Sequence, residues 1–326
     1  METTPLFNVL IVGAGNIGAL YDNPESDNFL THAHAFSSHK GFELLGFVDI
    51  DKLKAEKAVS LWGGKVFQSI EEAFEKEKID IVCVAVPDEY HYEILKKLSS
   101  SSVKLIFCEK PLVSTYEEAV EISAIYKENK IPICVNYRRR FVPAYEKIHR
   151  DIKAGEYGEY ITGTGYYGKG LLHNGSHMID LLRYFIGEID HIKVIDHFPD
   201  FYLKDPSVSA ILNFKNSKPF FMQVVDCRLY SIFELDLLFE KRRIRFKDNG
   251  FTIENFQIRE NDFFRGYFEM SQCNMVDTTL YRSLFSSATN IFRYLTVGES
   301  LKCNFDDGYR TLIECINIMS EINRRG

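Results

Sequence analysis

Three glycines in the spacing G-x-G-x-x-G stand near the start of the chain, at Gly13, Gly15 and Gly18. A run of β-forming residues precedes them, so they fall where a strand turns towards a helix. There the first glycine permits the tight turn, the second lets backbone approach a pyrophosphate, and the third lets the helix pack closely on its strand. The helix start at Asn16 and Ile17 offers backbone amides that favour phosphate. This pattern predicts a dinucleotide site, although a glycine turn after a buried strand can also be purely structural.

An acidic residue, Asp49, follows the second predicted strand. A carboxylate there accepts hydrogen bonds from the hydroxyls of an adenosine ribose and repels a 2′-phosphate, so it favours NAD over NADP. Asp49 stands 36 residues after Gly13 instead of the usual ~20, and a polar insertion at residues 21–31 accounts for most of the difference. The alternative is that Asp49 only starts a turn or caps the next helix, for which Asp51 is the better residue.

Polar residues also follow the fourth, fifth and sixth predicted strands, where ligands bind in doubly wound sheets. They are Asp88 and Glu89, which follow Pro87, then Glu109 and Lys110, and finally Asn136. A lysine at a buried strand end beside a cationic nicotinamide is desolvated and close to positive charge, and both effects lower its pKa. Such a lysine suits the orientation of a substrate hydroxyl and the departure of its proton. The alternative for Lys110 is a solvated lysine at a strand end.

A second group of candidate residues lies in the segment HNGSHMID, where His173, His177 and Asp180 are spaced i, i+4 and i+7. This spacing puts the three side chains on one face of a helix. Catalysis or substrate binding, a structural role at a helix start, and a metal site are all compatible with the histidine pair. The metal site is the weakest interpretation, because the glutamate of the H-E-x-x-H zinc motif is absent, and we predict no bound metal.

The elements that carry these residues follow two patterns. Residues 1–137 alternate strand-like and helix-like runs, as expected for a parallel sheet covered on both faces. Within residues 138–326, several strand-like runs follow one another without long helices between them, and two helices close the chain. We therefore predict an α/β protein with an N-terminal doubly wound Rossmann domain at 1–137. The remainder, 138–326, is predicted to form a C-terminal α+β domain with a large, mainly antiparallel open sheet.

Composition limits the possible classes of function. A chain of 326 residues exceeds the ~250–300 at which one core stops growing, so two domains are expected. The formal net charge of −7 argues against a sequence-independent nucleic-acid binder, and no apolar run reaches the ~20 residues of a membrane span. The N-terminus lacks the features of a signal peptide. The seven cysteines are scattered and form no CxxC pair, which fits a reducing cytoplasm.

Six motifs together resemble the glucose–fructose oxidoreductase / inositol dehydrogenase family, Gfo/Idh/MocA. They are GAGNIG at 13–18, VDID at 48–51, AVPDEYH at 85–91, CEKPL at 108–112, VNYRRRFVPAY at 135–145 and KGLLHNGSHMIDLL at 169–182. The resemblance implies a Rossmann domain that binds NAD, with Pro87, His91, Glu109 and Asn136 near the cofactor. It also implies a second domain whose open sheet forms one wall of the substrate pocket and often an oligomer interface.

The family usually carries Asp-x-x-x-His in the second domain, with the histidine contacting the reacting hydroxyl as acid–base group. His177 matches that histidine, whereas His173 stands where the aspartate is expected and contributes no fixed negative charge. The resemblance also favours a role for Arg139 near the substrate. In the run 138–140 we expect one arginine to bind substrate and the other two to pair with acidic neighbours. Asn174 and Tyr166 are further candidate substrate-binding residues, although an aromatic strand residue is more often part of a core.

We therefore expect an NAD(P)-dependent oxidoreductase, with NAD preferred, that acts on a secondary alcohol or ketone of a sugar, sugar derivative or cyclitol. In this interpretation Lys110 holds the reacting oxygen and His177 takes the hydroxyl proton. An NAD-dependent glycosidase of the same family and a non-catalytic regulator that senses NAD and a sugar stay open as alternatives. We also expect a homodimer or homotetramer in the cytoplasm, without nucleic-acid or membrane partners.

Overall fold

The computed structural model describes residues 6–215 and 218–324. The described chain forms two compact units. The first extends to Phe141 and also includes Tyr281–Leu312, and the second comprises Val142–Leu280 and the chain from Ile313 onward. This division differs from the single boundary predicted after residue 137, because a segment near the C-terminus belongs to the first unit.

A parallel sheet of six strands forms the centre of the first unit, in the order β3-β2-β1-β4-β5-β6. Its strands are β1 (Phe7–Val12), β2 (Phe42–Val48), β3 (Lys65–Phe67), β4 (Ile81–Val84), β5 (Leu105–Cys108) and β6 (Ile133–Val135). All side chains of β4, β5 and β6 are buried, as strands covered on both faces require. The predicted doubly wound Rossmann sheet is confirmed. Its strand order reverses between β1 and β4, which is where ligands bind in this class of fold.

The helices of the first unit are α1 (His32–Ser37), α2 (Lys52–Trp62), α3 (Ile70–Lys76), α4 (His91–Leu98), α5 (Tyr116–Asn129) and α8 (Ser283–Val297). Aromatic packing explains why α8 belongs here although it is remote in sequence. The ring of Phe292 lies 6.1 Å from that of Phe7 and 5.9 Å from that of Phe42. Phe285 lies 4.8 Å from Phe29. Helix α8 therefore buries aromatic surface that β1, β2 and the insertion would otherwise expose.

An eight-stranded sheet forms the second unit, in the order β14-β13-β12-β11-β7-β10-β9-β8. Its strands are β7 (Tyr160–Tyr167), β8 (Ile189–Tyr202), β9 (Asp205–Phe214), β10 (Pro219–Val224), β11 (Phe233–Phe239), β12 (Arg242–Lys247), β13 (Thr252–Glu260) and β14 (Phe268–Asp277). The neighbouring strands are antiparallel except β7 and β10, which pair in parallel. The prediction of a mainly antiparallel sheet is confirmed.

Helices α6 (Pro143–Lys153) and α7 (Ser176–Phe185) contribute to the hydrophobic core of the second unit. Helix α9 (Phe305–Asn323) begins in the first unit, and its residues from Ile313 belong to the second. Met178 of α7 reaches the sheet at Gly165, where a Cβ would lie 2.8 Å from the Met178 sulfur. In the part of the chain that the structure describes, no helix is both long and apolar enough to cross a membrane.

Candidate active site

The glycine turn lies at the carboxyl end of β1, in the first unit. Gly13 has a φ of +103°, and a Cβ on it would lie 2.5 Å from the carbonyl oxygen of Ala85. A Cβ on Gly18 would lie 1.9 Å from the carbonyl oxygen of Gly13. Gly15 differs, because a Cβ there would meet no atom of the described residues within 4 Å. The turn is therefore tightly packed at Gly13 and Gly18 and open at Gly15. The open space at Gly15 fits the approach of a pyrophosphate.

The segment after this turn differs from the regular helix that the sequence predicts. Asn16–Leu20 form a single π-helical turn, in which the N–H groups of Ala19 and Leu20 both donate to the carbonyl of Gly15, at 2.9 and 3.2 Å. The regular helix α1 begins only at His32. The polar insertion thus separates the glycine turn from α1. The backbone amides that can face a phosphate therefore come from the single π-helical turn and not from a long helix.

Asp22 anchors the insertion. Its carboxylate accepts hydrogen bonds from the N–H of Leu30 and from the hydroxyl of Thr31, both at 2.6 Å. It also accepts one from the ring of His34 at 2.9 Å. The Thr31 hydroxyl in turn caps α1. These contacts tie both ends of the insertion together, because hydrogen bonds to a charged acceptor are stronger than neutral ones.

Asp49 lies half-buried beside the glycine turn. Its Oδ2 accepts the N–H of Ala14 at 2.7 Å, and its Oδ1 accepts the N–H of Asp51 at 2.8 Å. Each carboxylate oxygen has two lone pairs, so each retains one for a ribose hydroxyl. Asp51 caps α2 with its own carboxylate, as predicted, and Asp49 does not.

Three polar side chains meet at the carboxyl ends of β5 and β6. Oε1 of Glu109 lies 2.8 Å from Nε2 of His32 and 2.6 Å from Nδ2 of Asn136. Burial favours the neutral form of Glu109, but the hydrogen bond and charge of His32, with Asn136 and Lys110, outweigh it and lower the pKa of Glu109. The sequence indicated Glu109 and Asn136 but missed His32. The spacing of His32 from the glycine turn gave no signal, because the insertion lies between them.

Lys110 follows Glu109 and is half-buried. Its charge acts on Asp88, in the short helical turn Asp88–Tyr90 that Pro87 precedes. Burial raises the pKa of Asp88, and the charges of Lys110 and His91 offset only part of that effect. The polar residues expected at these strand ends therefore lie within electrostatic range of one another. Pro87 is exposed at the rim of this cluster.

His91 has a different place from the one predicted. It is fully buried, with Nδ1 at 2.8 Å from the carbonyl oxygen of Pro111 and Nε2 at 3.0 Å from that of Val86. Both ring nitrogens thus contact backbone carbonyl oxygens, and neither is left for a polar contact with a cofactor. This corrects the expectation of direct cofactor binding. His91 instead connects the loops that follow β4 and β5.

The arginine run forms a short helical turn, Arg138–Phe141. Arg140 pairs with Asp307, Nη1 to Oδ1 at 2.9 Å, which confirms that one arginine of the run has an acidic neighbour. Arg139 is also buried, with 5% of its surface exposed. A substrate contact for Arg139 stays a prediction.

In the second unit, a π-helical turn at Leu171–Gly175 leads directly into α7. His173 lies in that turn and His177 in the first turn of α7, and both are half-buried, whereas Asp180 is buried. The three side chains expected on one face therefore differ in exposure: His173 and His177 are partly accessible, and Asp180 belongs to the core. Asn174 donates its amide to the carbonyl of Gly168 at 3.0 Å. Within the described residues, no group of three or more His, Cys, Asp or Glu side chains could hold a metal ion.

Two carboxylates at the β8–β9 hairpin hold the loop before α7, and the sequence did not indicate either. Asp205 accepts the N–H of Leu172 at 2.8 Å and that of His173 at 2.9 Å. Asp200 accepts the N–H of Lys169 at 2.6 Å. Asp205 thus places a negative charge beside the backbone N–H of His173. His173 is the position at which the resembled family usually has an aspartate. An acidic residue near a turn is too common for the sequence to single it out.

Tyr166 also differs from its prediction. In β7 its neighbours Gly165 and Tyr167 are buried, and Gly165 faces Met178 of α7. Because side chains alternate along a strand, Tyr166 points to the opposite face of the sheet, where it is 38% exposed. Tyr166 and the helix that carries His177 therefore lie on different faces, which removes the basis for placing both in one pocket.

Comparison with known proteins gives consistent results. Residues 7–137 match the model of the GFO_IDH_MocA family, described as the oxidoreductase family with an NAD-binding Rossmann fold. An inositol 2-dehydrogenase of Corynebacterium glutamicum (strain R) is 29% identical over 157 residues, covering 48% of this chain and 43% of that protein. The scyllo-inositol 2-dehydrogenase (NAD(+)) of Bacillus subtilis (strain 168) is 32% identical over 130 residues, covering 36% and 38% respectively. These matches span less than half of the relatives' own length.

A putative NADPH-dependent oxidoreductase from Desulfitobacterium hafniense has the same fold, with a TM-score of 0.82, 16% identity, and coverage of 99% of this chain and 97% of that one. At that identity the likeness concerns the fold of both units and nothing more. The family match falls on the glycine turn, Asp49, Glu109, Lys110 and Asn136, which are the residues whose geometry suits a dinucleotide. Residues 7–137 therefore match the NAD-binding Rossmann domain of the Gfo/Idh/MocA oxidoreductase family.

Proposed function

We propose that the chain is an NAD-dependent oxidoreductase that interconverts a secondary alcohol and a ketone on a sugar, sugar derivative or cyclitol. The observation that supports this most is that an open glycine turn after β1 and the residues Glu109, which is ionised, and Lys110 after β5 lie at carboxyl ends of strands of one parallel sheet. The inositol dehydrogenases among its relatives support a polyhydroxylated substrate.

The dinucleotide would be held by Gly13, Gly15, the amides of Asn16, Ile17 and Gly18, and by Asp49, Glu109 and Asn136. When bound, NAD supplies the hydride acceptor or donor. The two remaining acceptor positions of Asp49 suit an unmodified ribose, and its negative charge opposes a 2′-phosphate. NAD is therefore the preferred form in this proposal, and NADP the weaker one.

Two residues carry the proton chemistry in this proposal. Lys110 donates a hydrogen bond to the oxygen of the reacting carbon, and a ring nitrogen of His177 takes the hydroxyl proton in the oxidative direction. His173 and Asn174 are proposed to bind neighbouring hydroxyls, and Arg139 to bind substrate as well. A neutral or cationic imidazole at 173 replaces the usual carboxylate, which favours a hydroxyl or an anionic substituent there.

The test uses the purified full chain with NAD or NADP and a panel of myo-inositol, scyllo-inositol, free sugars and nucleotide-linked sugars. Formation of the reduced cofactor is followed by absorbance. On the substrate found, Lys110→Ala and His177→Ala should each lower kcat by about 10²–10⁴-fold. Lys104→Ala is a matched control, since Lys104 precedes β5 and pairs with Asp80 at 3.0 Å. Full turnover in both active-site variants would contradict the proposal.

The same assay separates the two alternatives. An NAD-dependent glycosidase oxidises and then reduces its sugar in one cycle, so it releases a cleaved product without net NADH. A regulator binds NAD and sugar without turning over any member of the panel. Either result would replace the dehydrogenase in this proposal while leaving the dinucleotide site in place.

We further propose a homodimer or homotetramer in the cytoplasm. Support comes from the open face of the eight-stranded sheet, on which Ile161, Tyr166 and Phe221 are exposed. Exposed apolar side chains on one face of a sheet favour association. Light scattering after size-exclusion chromatography would measure the mass, and a monomer at micromolar concentration would contradict this part.

A further inference from the structure

Two side chains of the first unit that bind the same carboxylate each have a buried polar atom without a hydrogen-bond partner among the described residues. These atoms are Nδ1 of His32 and Oδ1 of Asn136. The two side chains are 0% and 3% exposed. Leaving a buried polar atom unpaired is costly, so such an atom marks a place where a ligand or water completes the site.

The charge of Glu109 determines how both neighbours are oriented. An ionised carboxylate only accepts hydrogen bonds. Nε2 of His32 must therefore carry the proton that points to Oε1, and Asn136 must turn its amide nitrogen to the same oxygen. The carbonyl oxygen of Asn136 is then directed away from Glu109. As a result, Glu109 and Asn136 offer acceptor oxygens and need a partner that donates.

We propose that His32 is a positioning residue that holds Glu109, so that Glu109 and Asn136 present acceptor oxygens to donor groups of the nicotinamide nucleoside. Those donors are the ribose hydroxyls or the carboxamide N–H groups. The inference depends on the proposed function, because it assigns a role at the same dinucleotide site. His32 acts through Glu109 and touches no reacting atom.

His34 provides a matched control on the same helix. Its side chain is 3% exposed, and its ring donates to the carboxylate of Asp22 as that of His32 does to Glu109. Asp22 belongs to the insertion anchor and keeps two other donors, from Leu30 and Thr31, when His34 is replaced. A phenylalanine at either position keeps an aromatic ring and removes one donor to one carboxylate.

The experiment measures the Kd of NAD, ADP-ribose and ADP by calorimetry for the wild type, His32→Phe and His34→Phe. Loss of a hydrogen bond to a charged group should weaken NAD about tenfold or more in His32→Phe. ADP, which lacks the nicotinamide nucleoside, should bind as it does to the wild type. If ADP-ribose is weakened as well, the donor is a ribose hydroxyl, and if it is not, the donor is the carboxamide.

Measuring the affinity for NAD over a series of pH values adds a second test, because general destabilisation of the protein does not shift the pH at which that affinity falls. His32 lowers the pKa of Glu109, so NAD affinity should fall on acidification at a higher pH in His32→Phe than in the wild type. His34→Phe should keep the wild-type profile. The other titratable groups facing Glu109 are Lys110, Asp88, Cys83 and Cys108, and all are unchanged in both variants.

Two further variants keep the proposal testable if His32→Phe does not fold. His32→Gln can still donate to Glu109 and should bind NAD nearly as the wild type does, whereas Asn136→Ala should weaken NAD and leave ADP unaffected. Equal NAD affinity and pH profile in His32→Phe and His34→Phe would overturn this inference alone. A wild type that binds no NAD would overturn the proposed function together with it.

Discussion

Replacing Asp49 by asparagine is expected to shift the cofactor preference from NAD towards NADP. In the structure, Oδ2 of Asp49 binds the N–H of Ala14 and Oδ1 binds that of Asp51. An asparagine can keep the first contact through its carbonyl oxygen. Its amide group then faces the N–H of Asp51, so the variant loses one acceptor together with the negative charge.

The size of the effect follows from these contacts. A hydrogen bond to a charged acceptor contributes about 1.5–3 kcal/mol, so losing one from the ribose should weaken NAD by about tenfold to a hundredfold. For NADP the effect is opposite, because two unit charges about 4 Å apart repel by up to about 4 kcal/mol at an effective dielectric constant of about 20. The ratio of NAD to NADP affinity should therefore fall by at least about a hundredfold.

Calorimetric Kd values for both cofactors, with melting temperatures, would check this prediction. Asp51→Asn is the control, because Asp51 accepts the N–H groups of Leu53 and Lys54 as the cap of α2. That variant should lose at most about 1 kcal/mol of stability and keep the wild-type preference. If Asp49→Asn also keeps the wild-type preference while remaining folded, Asp49 does not select the cofactor.

The remaining predictions concern the glycine turn and the second unit. Gly18→Ala should lower the melting temperature and abolish NAD binding, because its Cβ would lie 1.9 Å from the carbonyl oxygen of Gly13. Gly15→Ala should melt as the wild type does and still bind NAD weakly, and a lower melting temperature would contradict the open space seen there. Asp205→Ala should raise the KM for substrate without changing the Kd of NAD, because it frees two backbone N–H groups of the loop before α7; unchanged KM would argue against that role. Burial raises the pKa of Glu314, so its ionisation opposes folding. Glu314→Gln should therefore raise the melting temperature at pH 7 and lose this advantage as the pH falls below the range in which Glu314 ionises.

Much of the first unit is encoded locally. Strand-length apolar runs and helix caps such as Asp51 depend on neighbouring residues, and the same holds for the glycine spacing at 13–18. The carboxyl ends of parallel strands meet at one edge of a sheet. For this reason the order of the strands along the chain was enough to group Asp49, Glu109 and Asn136.

Contacts between residues far apart in sequence were beyond such reasoning. His32 reaches Glu109 only because the insertion closes on Asp22 and returns the chain to the sheet, and the length of the insertion hides that path. His91 has the sequence position of a site residue, yet its ring is occupied by two backbone carbonyls. The face on which Tyr166 lies depends on the register of β7 against its neighbours, which a strand of mixed tyrosine and glycine does not specify.

The sequence by itself therefore determined the two sheets, the dinucleotide turn and the residues at the strand ends, because backbone propensity and hydrophobic period act over a few residues. Only the tertiary structure decided which polar groups pair. It joined His32 to Glu109, placed Asp205 at the backbone of His173 and brought α8 to the first unit. Such pairs depend on where loops close, and the side chains that meet there carry no mark in the local sequence.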